Sequence, residues 1–307
     1  MKTTIPLSAV TAIAILSTHL LAAAVPPPRL EIEAPPSLEG DARRASQISA
    51  ARLELLTSII GLEEPGPPIV VVLAPETTPL AHSTPPWISG FAVPDQNVVV
   101  LFPARAHSYP DDGFEELLLH EITHVLVYRA AGGRDLPRWF QEGVATTTGR
   151  SWQLEDRTRF AIETLATGDV SLATISSMFE RPPPQITRAY AFAGAFVHDL
   201  FVTRGAESIR KILSGVREGE DFPVAFRQAT SMTLADAEAD FWKRHRRTRW
   251  ILMLTSSMVL WIVITLLALV AMTVARIRRA RQPDLELVEM PRESGPPEEP
   301  EDDEPVN

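Results

Sequence analysis

A long uncharged apolar segment near the C-terminus constrains this chain more than any other feature. Residues 250–275, WILMLTSSMVLWIVITLLALVAMTVA, form a run of 26 residues without a charged side chain. About 20 such residues suffice for an α-helix to cross the hydrocarbon core of a bilayer. A helix in the core of a soluble protein rarely stays uncharged for so long. We therefore predict one transmembrane helix at 250–275.

The N-terminus has the pattern of a secretory signal peptide. Lys2 is followed by an apolar stretch, and the small residues Ala22 and Ala24 precede a Pro-rich segment. We predict a signal peptide at 1–24 that is cleaved after Ala24; an uncleaved anchor is the alternative. No cysteine follows the cleavage site, so a lipoprotein signal is excluded.

Orientation in the membrane follows from the signal peptide rather than from charge. Basic residues flank 250–275 on both sides, five within 243–249 and four within 276–281, so their distribution is nearly balanced. A signal peptide exports the chain up to the apolar segment, which then stops transfer. We predict a single-pass cell-membrane protein with its main domain periplasmic or extracellular. The Pro-rich, acidic segment 276–307 is expected to be a disordered cytoplasmic tail.

Composition excludes several classes of site and partner. The chain has 307 residues and no cysteine, so disulfides, thiol nucleophiles and Cys-ligated metals are excluded. A transition metal would have to be bound by His and carboxylate side chains. Residues 25–242 contain 18 Lys and Arg against 29 Asp and Glu. This acidic balance argues against a nucleic-acid partner, which would require a basic face.

The sequence pattern of the exported region predicts an α+β domain. Residues 25–40 are Pro-rich and are expected to form an extended, unpacked linker, followed by the main domain at 41–245. Short β-branched runs at Ile69–Leu73 and Val98–Phe102 predict buried strands, and most of the remaining pattern is helical. We therefore expect a small sheet of two or three strands followed by a mostly helical part.

The residues His120-Glu121-Ile122-Thr123-His124 form an H-E-x-x-H pattern inside a strongly helical run. Residues i and i+4 share one face of a helix, so His120 and His124 can present two ring nitrogens to one metal ion. Glu121 can reach a water bound to the open side of such an ion. The alternative is a structural pair of histidines, hydrogen-bonded in the core.

A third metal ligand is expected from the segment that follows. Gly132 and Gly133 allow the chain to reverse after the first helix, and Pro137 begins a second helix that can pack beside it. Glu142 lies on this second helix, 18 residues after His124. Two histidines and one glutamate, with a fourth position for water, are the ligands of a catalytic zinc site. We predict one Zn²⁺ per chain, bound by His120, His124 and Glu142; a solvated Glu142 is the alternative.

The motif HEITH followed by LPRWFQEGVA resembles the peptidase MA-like gluzincin metallopeptidases. Members of this group pair HExxH with a W-x-x-EG-x-A segment whose glutamate is the third zinc ligand. The segment Trp87–Ala92, followed by the strand Val98–Phe102, is also similar to the group's edge strand and the turn before it. Ala189–Val197 is similar to its helix after the active site. The resemblance covers about 45–245, and only the HExxH and EG segments are specific. It implies a zincin-like fold.

The sequence departs from the motifs of three better-known groups of zinc metallopeptidases. Ala130 stands where a metzincin has its third histidine, and Thr146 and Thr147 stand where thermolysin-like enzymes have Ser-Asp. No G-A-M-E-N motif occurs, which argues against an exopeptidase of the aminopeptidase type.

The resemblance also implies an oxyanion donor and a substrate-binding strand. It places a tyrosine near the start of the helix after the active site, so Tyr190 is the first choice as the second catalytic residue beside Glu121. His198 on the same helix is the alternative donor, and a packing role for Tyr190 is also open. Val98–Leu101 is the expected edge strand, to which an extended peptide could add.

Two functions of different classes follow from these patterns. The first is a membrane-anchored zinc metalloendopeptidase outside the cytoplasm, in which zinc activates water and Glu121 is the general base. Its partners would be protein or peptide substrates and the membrane. The second is a non-catalytic, zinc-stabilised module that binds cell-envelope components. An intact Glu121 favours the first, because a structural zinc site requires no base.

Overall fold

The chain folds into a four-stranded sheet and twelve α-helices within the residues that the computed structural model describes. These residues are 26–106, 109–111, 113–150, 152–255 and 257–281. The predicted signal peptide at 1–24 lies outside them, as does the part of the predicted 276–307 tail that begins at residue 282. Contacts divide the chain into two compact units that meet between Arg249 and Trp250. Each unit is described by itself.

The elements alternate between strands and helices in the first third of the chain and are helical afterwards. The strands are β1 (Leu30–Glu33), β2 (Ile69–Leu73), β3 (Gly90–Val93) and β4 (Val98–Leu101). The helices are α1 (Glu39–Ser46), α2 (Ala50–Ile60), α3 (Pro79–Ser83), α4 (Phe114–Ala130), α5 (Arg138–Gly149), α6 (Leu154–Thr167), α7 (Leu172–Met178), α8 (Gln185–Arg204), α9 (Ala206–Arg217), α10 (Phe222–Thr230), α11 (Leu234–Thr255) and α12 (Ser257–Arg281). The chain is therefore mostly helical with a small mixed sheet, as predicted for a small sheet followed by a mostly helical part.

The sheet has the strand order β1-β2-β4-β3. The first three strands in this order are parallel, and β3 pairs antiparallel with β4. The prediction that Val98–Leu101 is the edge strand was therefore wrong. These residues form β4, which is hydrogen-bonded on both sides, and Val99 and Leu101 are fully buried. The edge strand is β3, which follows a segment rich in Pro, Thr and Ser.

The segment predicted as an unpacked linker at 25–40 was also assigned wrongly. It contributes β1, whose four residues pair in parallel with β2. Leu30 and Ile32 pack against the hydrophobic core, whereas Glu31 and Glu33 are exposed. This apolar-polar alternation is the pattern of a strand with one buried face, and the surrounding prolines obscured it. The four strands also exceed the two or three expected.

A layer of three helices positions the functional residues. Helix α5 packs against both α4 and α8, and α4 also contacts β3 and β4 of the sheet. Twelve of the 17 residues of α4 are buried, because the sheet and helices surround it. A helix covered in this way is apolar around most of its circumference. The buried residues of α4 include the polar side chains of His120, Glu121 and Thr123.

Glycines allow the helices to approach closely at two points. A Cβ at Gly143 of α5 would lie 2.4 Å from Cγ2 of Val197 and 2.6 Å from the Ala193 carbonyl oxygen, both on α8. A Cβ at Gly149, the last residue of α5, would lie 3.2 Å from the backbone nitrogen of His120. The backbone of α5 is thus fixed against its neighbours on both sides.

The chain reversal predicted after the first helix is present. Gly132 and Gly133 have φ values of 65° and 75°, in the left-handed region that side chains other than glycine rarely adopt. Farther along the chain, Gly168, with a φ of 73°, follows the end of α6, and α7 begins at Leu172.

In the second unit, one helix among the described residues is long and apolar enough to cross a membrane. The apolar window runs from Trp261 to Arg279 and lies within α12. Residues 250–255 of the predicted span lie at the end of α11, and residues 257–275 lie in α12. Residues 276–281, which were predicted to belong to the disordered tail, continue α12 instead. Arginine is a good helix former, and its long side chain can reach water from a helix end.

Candidate metal centre

The first two site residues lie on the buried face of α4. The helix places His120 and His124 one turn apart, with ring centroids separated by 5.0 Å. His120 is 2% exposed, and His124 is partly exposed to a cleft. The helical spacing brings both imidazoles to one position, as the sequence pattern predicts.

Glu142 reaches the same position from α5. Its Oε2 atom lies 3.5 Å from Nε2 of His120 and 3.5 Å from Nε2 of His124. The candidate ligand atoms of the three residues all lie within 4.8 Å of one another. This buried His-His-Glu cluster could hold a metal ion. The sequence placed these residues together, and the structure brings them into one site.

The residues present fit a transition metal. Oε2 of Glu142 is buried and has no hydrogen-bond partner among the described residues. A buried carboxylate oxygen without a partner costs free energy, which a bound cation would remove. Two atoms bonded to a tetrahedral zinc at about 2.0–2.1 Å lie about 3.4 Å apart. The two 3.5 Å separations are close to that value without rearrangement.

Arg138 binds the other oxygen of the same carboxylate. Its Nε lies 2.7 Å from Oε1 of Glu142, so the two carboxylate oxygens have different partners. Burial alone would raise the pKa of Glu142, but the facing His124, His120 and Arg138 hold it well below its usual value. The carboxylate is therefore ionised and can act as a ligand. Sequence reasoning missed this contact, although the i, i+4 spacing of Arg138 and Glu142 on one helix was a usable signal.

Asp111 is a second residue that sequence reasoning missed at this site. Its Oδ1 lies 3.5 Å from Nδ1 of His120, and both side chains are buried. Metal-binding histidines commonly direct their second nitrogen at a carboxylate, which fixes the ring. No spacing rule could have identified Asp111, because it precedes α4 and meets His120 only through the fold.

Glu121 lies beside the cluster and lines the same cleft. It is 6% exposed, and burial raises its pKa, with the two histidines opposing this effect. A carboxyl with a raised pKa holds a proton more readily than one in water, which suits a group that must accept and release protons. A Cβ at Gly90 of β3 would lie 3.3 Å from Cγ of Glu121. The edge strand therefore passes directly over this carboxyl.

Tyr190 is also near the cluster, whereas His198, the alternative oxyanion donor, is not. Its half-buried ring lies 6.0 Å from the ring of His120 and faces the cleft. Burial, followed by the charge of Glu142, raises the pKa of Tyr190 well above its usual value, so the hydroxyl stays protonated at neutral pH. The His198 ring instead stacks on Trp152 at 4.9 Å and is absent from the described lining of the cleft.

The cleft has a volume of about 710 Å³, within the usual range for a ligand site. One wall is the edge strand β3 with the turn before it, including Trp87 and Phe91. The opposite wall comes from the region between α7 and α8, including Phe179 and Ile186. The metal cluster lies along the cleft together with Glu121 and Tyr190.

Comparison with known proteins does not assign the chain to a family. No protein family, curated protein or solved structure matches the chain.

Proposed function

We propose that the chain is a zinc-dependent metalloendopeptidase of the gluzincin type with a zincin-like fold. The observation that carries the proposal is the unpartnered Oε2 of Glu142. It faces Nε2 of both His120 and His124 at 3.5 Å in a cleft that Glu121 also lines. The two histidines and the glutamate would hold the ion, one per chain.

Zinc bound by these three ligands would polarise a peptide carbonyl and lower the pKa of a water in its fourth position. The buried carboxylate of Glu121 would take the proton from that water and then donate it to the leaving amine. Burial raises the pKa of Glu121, and a raised pKa makes a carboxylate a stronger base towards the proton of that water.

Tyr190 supports the same reaction as a hydrogen-bond donor. Attack on a peptide carbonyl creates negative charge on its oxygen, and a fixed donor stabilises that charge. The raised pKa of Tyr190 keeps the hydroxyl proton in place at neutral pH. Its position in the cleft, 6.0 Å from the His120 ring, is compatible with this role.

The edge strand supports a peptide as substrate. An extended peptide can add to an exposed strand edge through main-chain hydrogen bonds. Strand β3 pairs with β4 on one side only, and its Gly90 passes over Glu121. A peptide laid along β3 would thus bring a carbonyl towards the metal cluster.

The location proposed for this activity is outside the cytoplasm. The predicted signal peptide would export the domain, and the apolar helix would anchor it as a single-pass membrane protein. The apolar window at Trp261–Arg279 supports the anchor, and the orientation rests on the sequence pattern alone.

The test compares zinc content and hydrolysis in three forms of the full chain in detergent: wild type, Glu121→Gln and Glu142→Ala. We expect about one zinc per wild-type chain, an unchanged content in Glu121→Gln and a strongly reduced content in Glu142→Ala. Chelator-sensitive cleavage of a mixed peptide library should occur only in the wild type. Glu64→Gln, at an exposed position outside the cleft, is the matched control and should cleave normally.

Three other results would change the conclusion. Retained, chelator-sensitive cleavage by Glu121→Gln would reject Glu121 as the base. One zinc per chain without any hydrolysis would favour the non-catalytic binding module. A folded wild type that binds no zinc would reject the metal centre itself.

A further inference from the structure

Two arginines line the cleft in addition to the metal cluster. Arg138 enters it from α5 and Arg159 from α6. The described residues of the lining also include three acids: Asp111, Glu121 and Glu142. The balance of charge that a bound peptide would meet depends on which of these groups are already engaged.

All three acids belong to the metal centre. Asp111 faces Nδ1 of His120, and Glu142 faces both histidines and Arg138. Glu121 is buried beside the same histidines. Away from the centre, the charged residues in the described part of the lining are the two arginines. The remaining lining is largely apolar or uncharged, so the approaches to the metal centre are cationic.

Arg159 is held in place by its neighbours. Its guanidinium lies over the Tyr109 ring at 4.1 Å from the centroid, and its NH2 group donates to Glu155 at 2.9 Å. Stacking on an aromatic ring fixes the plane of an arginine and leaves its edge available for carboxylates. Glu155 is more than half exposed, and an ion pair at such a position is weak enough for a second carboxylate to join or replace it.

Arg138 is similarly fixed at one end and open at the other. Its Nε binds Glu142, but the side chain as a whole is 62% exposed. The terminal nitrogens of a guanidinium extend beyond Nε and can bind a further carboxylate. Arg138 approaches the metal ligands through Glu142. Arg159 lines the same cleft from α6, where it stacks on Tyr109.

We infer that the cleft selects peptide segments that carry an acidic side chain near the bond to be cut, with Arg159 as a specificity-determining residue. The inference rests on the proposed function. A cationic cleft contrasts with the rest of the domain, in which acids outnumber bases at 25–242. Opposite charge in a cleft attracts a substrate and excludes peptides of the wrong sign. Selection should therefore weaken as salt is added.

The test uses a peptide library whose C-termini are amidated, so that carboxylates come from Asp and Glu side chains alone. Zinc-loaded full chain in detergent cuts the library, and mass spectrometry identifies the cut sites. We expect enrichment of Asp and Glu within a few residues of the cut. For one good substrate and its Asp→Lys counterpart, kcat/KM should favour Asp about tenfold.

Arg159→Glu provides the decisive comparison. It should abolish the acidic enrichment and lower the Asp-to-Lys ratio of kcat/KM at least about tenfold, with zinc content unchanged. Arg157→Glu makes the same charge change on the same helix at an exposed position outside the described lining. This control should keep the acidic preference.

Failure of the inference can be separated from failure of the proposed function. Cleavage without acidic enrichment, or with enrichment that survives Arg159→Glu, overturns the inference and leaves the peptidase activity standing. If no peptide is cut, the same library is passed over immobilised, zinc-loaded Glu121→Gln protein and the captured peptides are identified. Their composition shows whether the cleft selects acidic segments without cleaving them. Acidic, Arg159-dependent capture would support the selection and reject hydrolysis; capture without acidic enrichment would reject both.

Discussion

Oδ1 of Asp111 lies 3.5 Å from Nδ1 of His120, on the side of the imidazole opposite the nitrogen that faces Glu142. Each ring nitrogen of His120 thus faces a different buried carboxylate. A carboxylate that faces a proton-bearing Nδ1 orients the ring and makes Nε2 a better electron donor, and Asp111 is placed to do so at 3.5 Å from an Nδ1 that has no hydrogen bond among the described residues. This arrangement gives the metal centre a supporting residue that the HExxH pattern does not contain.

Replacing Asp111 should weaken metal binding without removing a ligand. We expect Asp111→Asn to lower zinc affinity by about 10- to 100-fold, since outer partners of metal-binding histidines contribute on this scale. Competition with a zinc-sensitive chelator dye measures the affinity. Asp135→Asn, at an exposed position before α5, is the control and should bind normally. Equal affinities for the two variants would show that Asp111 does not support His120.

Zinc binding should release a proton from His120 at neutral pH. Burial alone would lower the pKa of His120, but the charges of Asp111, Glu142 and Glu121 raise it to about 9. The metal-free imidazole is then protonated below about pH 9, and a metal must displace the proton on Nε2. Zinc affinity should therefore fall as pH falls from 8.5 to about 6.5.

The number of protons released can be measured by calorimetric titration of zinc into the protein in buffers of different ionisation enthalpy. About one proton per zinc is expected from His120 at pH 7, and this contribution should disappear as the pH rises through about 9. An enthalpy that does not depend on the buffer at pH 7 would show that His120 is neutral in the metal-free protein.

A side chain at Gly143 should separate the helices that hold Glu142. The Cβ of Gly143→Ala would meet Val197 Cγ2 at 2.4 Å and the Ala193 carbonyl oxygen at 2.6 Å. Overpacking of this kind costs about 1–3 kcal/mol of the free energy of unfolding. We expect a lower melting temperature and weaker zinc binding, because Glu142 is the preceding residue.

The matched control for this substitution is Gly40→Ala in α1. A Cβ at Gly40 would meet nothing within 4 Å, and alanine is the better helix former by about 1 kcal/mol. This variant should be as stable as the wild type or slightly more stable. A Gly143→Ala protein that melts no lower than Gly40→Ala would contradict the close packing of α5 on α8.

Removing the Tyr190 hydroxyl should slow hydrolysis specifically. If the hydroxyl stabilises the oxyanion, Tyr190→Phe should lower kcat by about 100-fold or more, the effect of losing one such donor. KM and zinc content should change little, because the ring is retained. Tyr128→Phe on α4, outside the described lining of the cleft, is the control. A normal kcat in Tyr190→Phe would leave Tyr190 a packing residue.

Local patterns determined the features of this protein that lie within one helix or one short segment. The spacing of His120 and His124 fixes their common face, because an α-helix turns every 3.6 residues. The glycine pair at 132–133 predicts the reversal before α5 for a similar reason: only glycine adopts positive φ at no steric cost. The uncharged run at 250–275 indicated a membrane-crossing helix, and α12 contains a window long and apolar enough for one.

The predicted fold failed where prolines and polar residues masked short strands. Strand β1 has only four residues between prolines, and β3 follows a loop rich in Pro, Thr and Ser. Such strands are specified by pairing with β2 and β4, and a pairing partner is distant in sequence. The same limit applies to the edge strand, since position in a sheet depends on all its neighbours.

The sequence by itself determined the residue types of the candidate metal centre and the helices that carry them. Only the tertiary structure decided what surrounds them. The close packing of α5 on α4 brings Glu142 within 3.5 Å of both histidines, and the segment before α4 folds back to place Asp111 on His120. Arg159 lines the cleft with its guanidinium stacked on the Tyr109 ring. These contacts join elements that are separate in sequence, and they form only when the apolar faces of those elements are buried together.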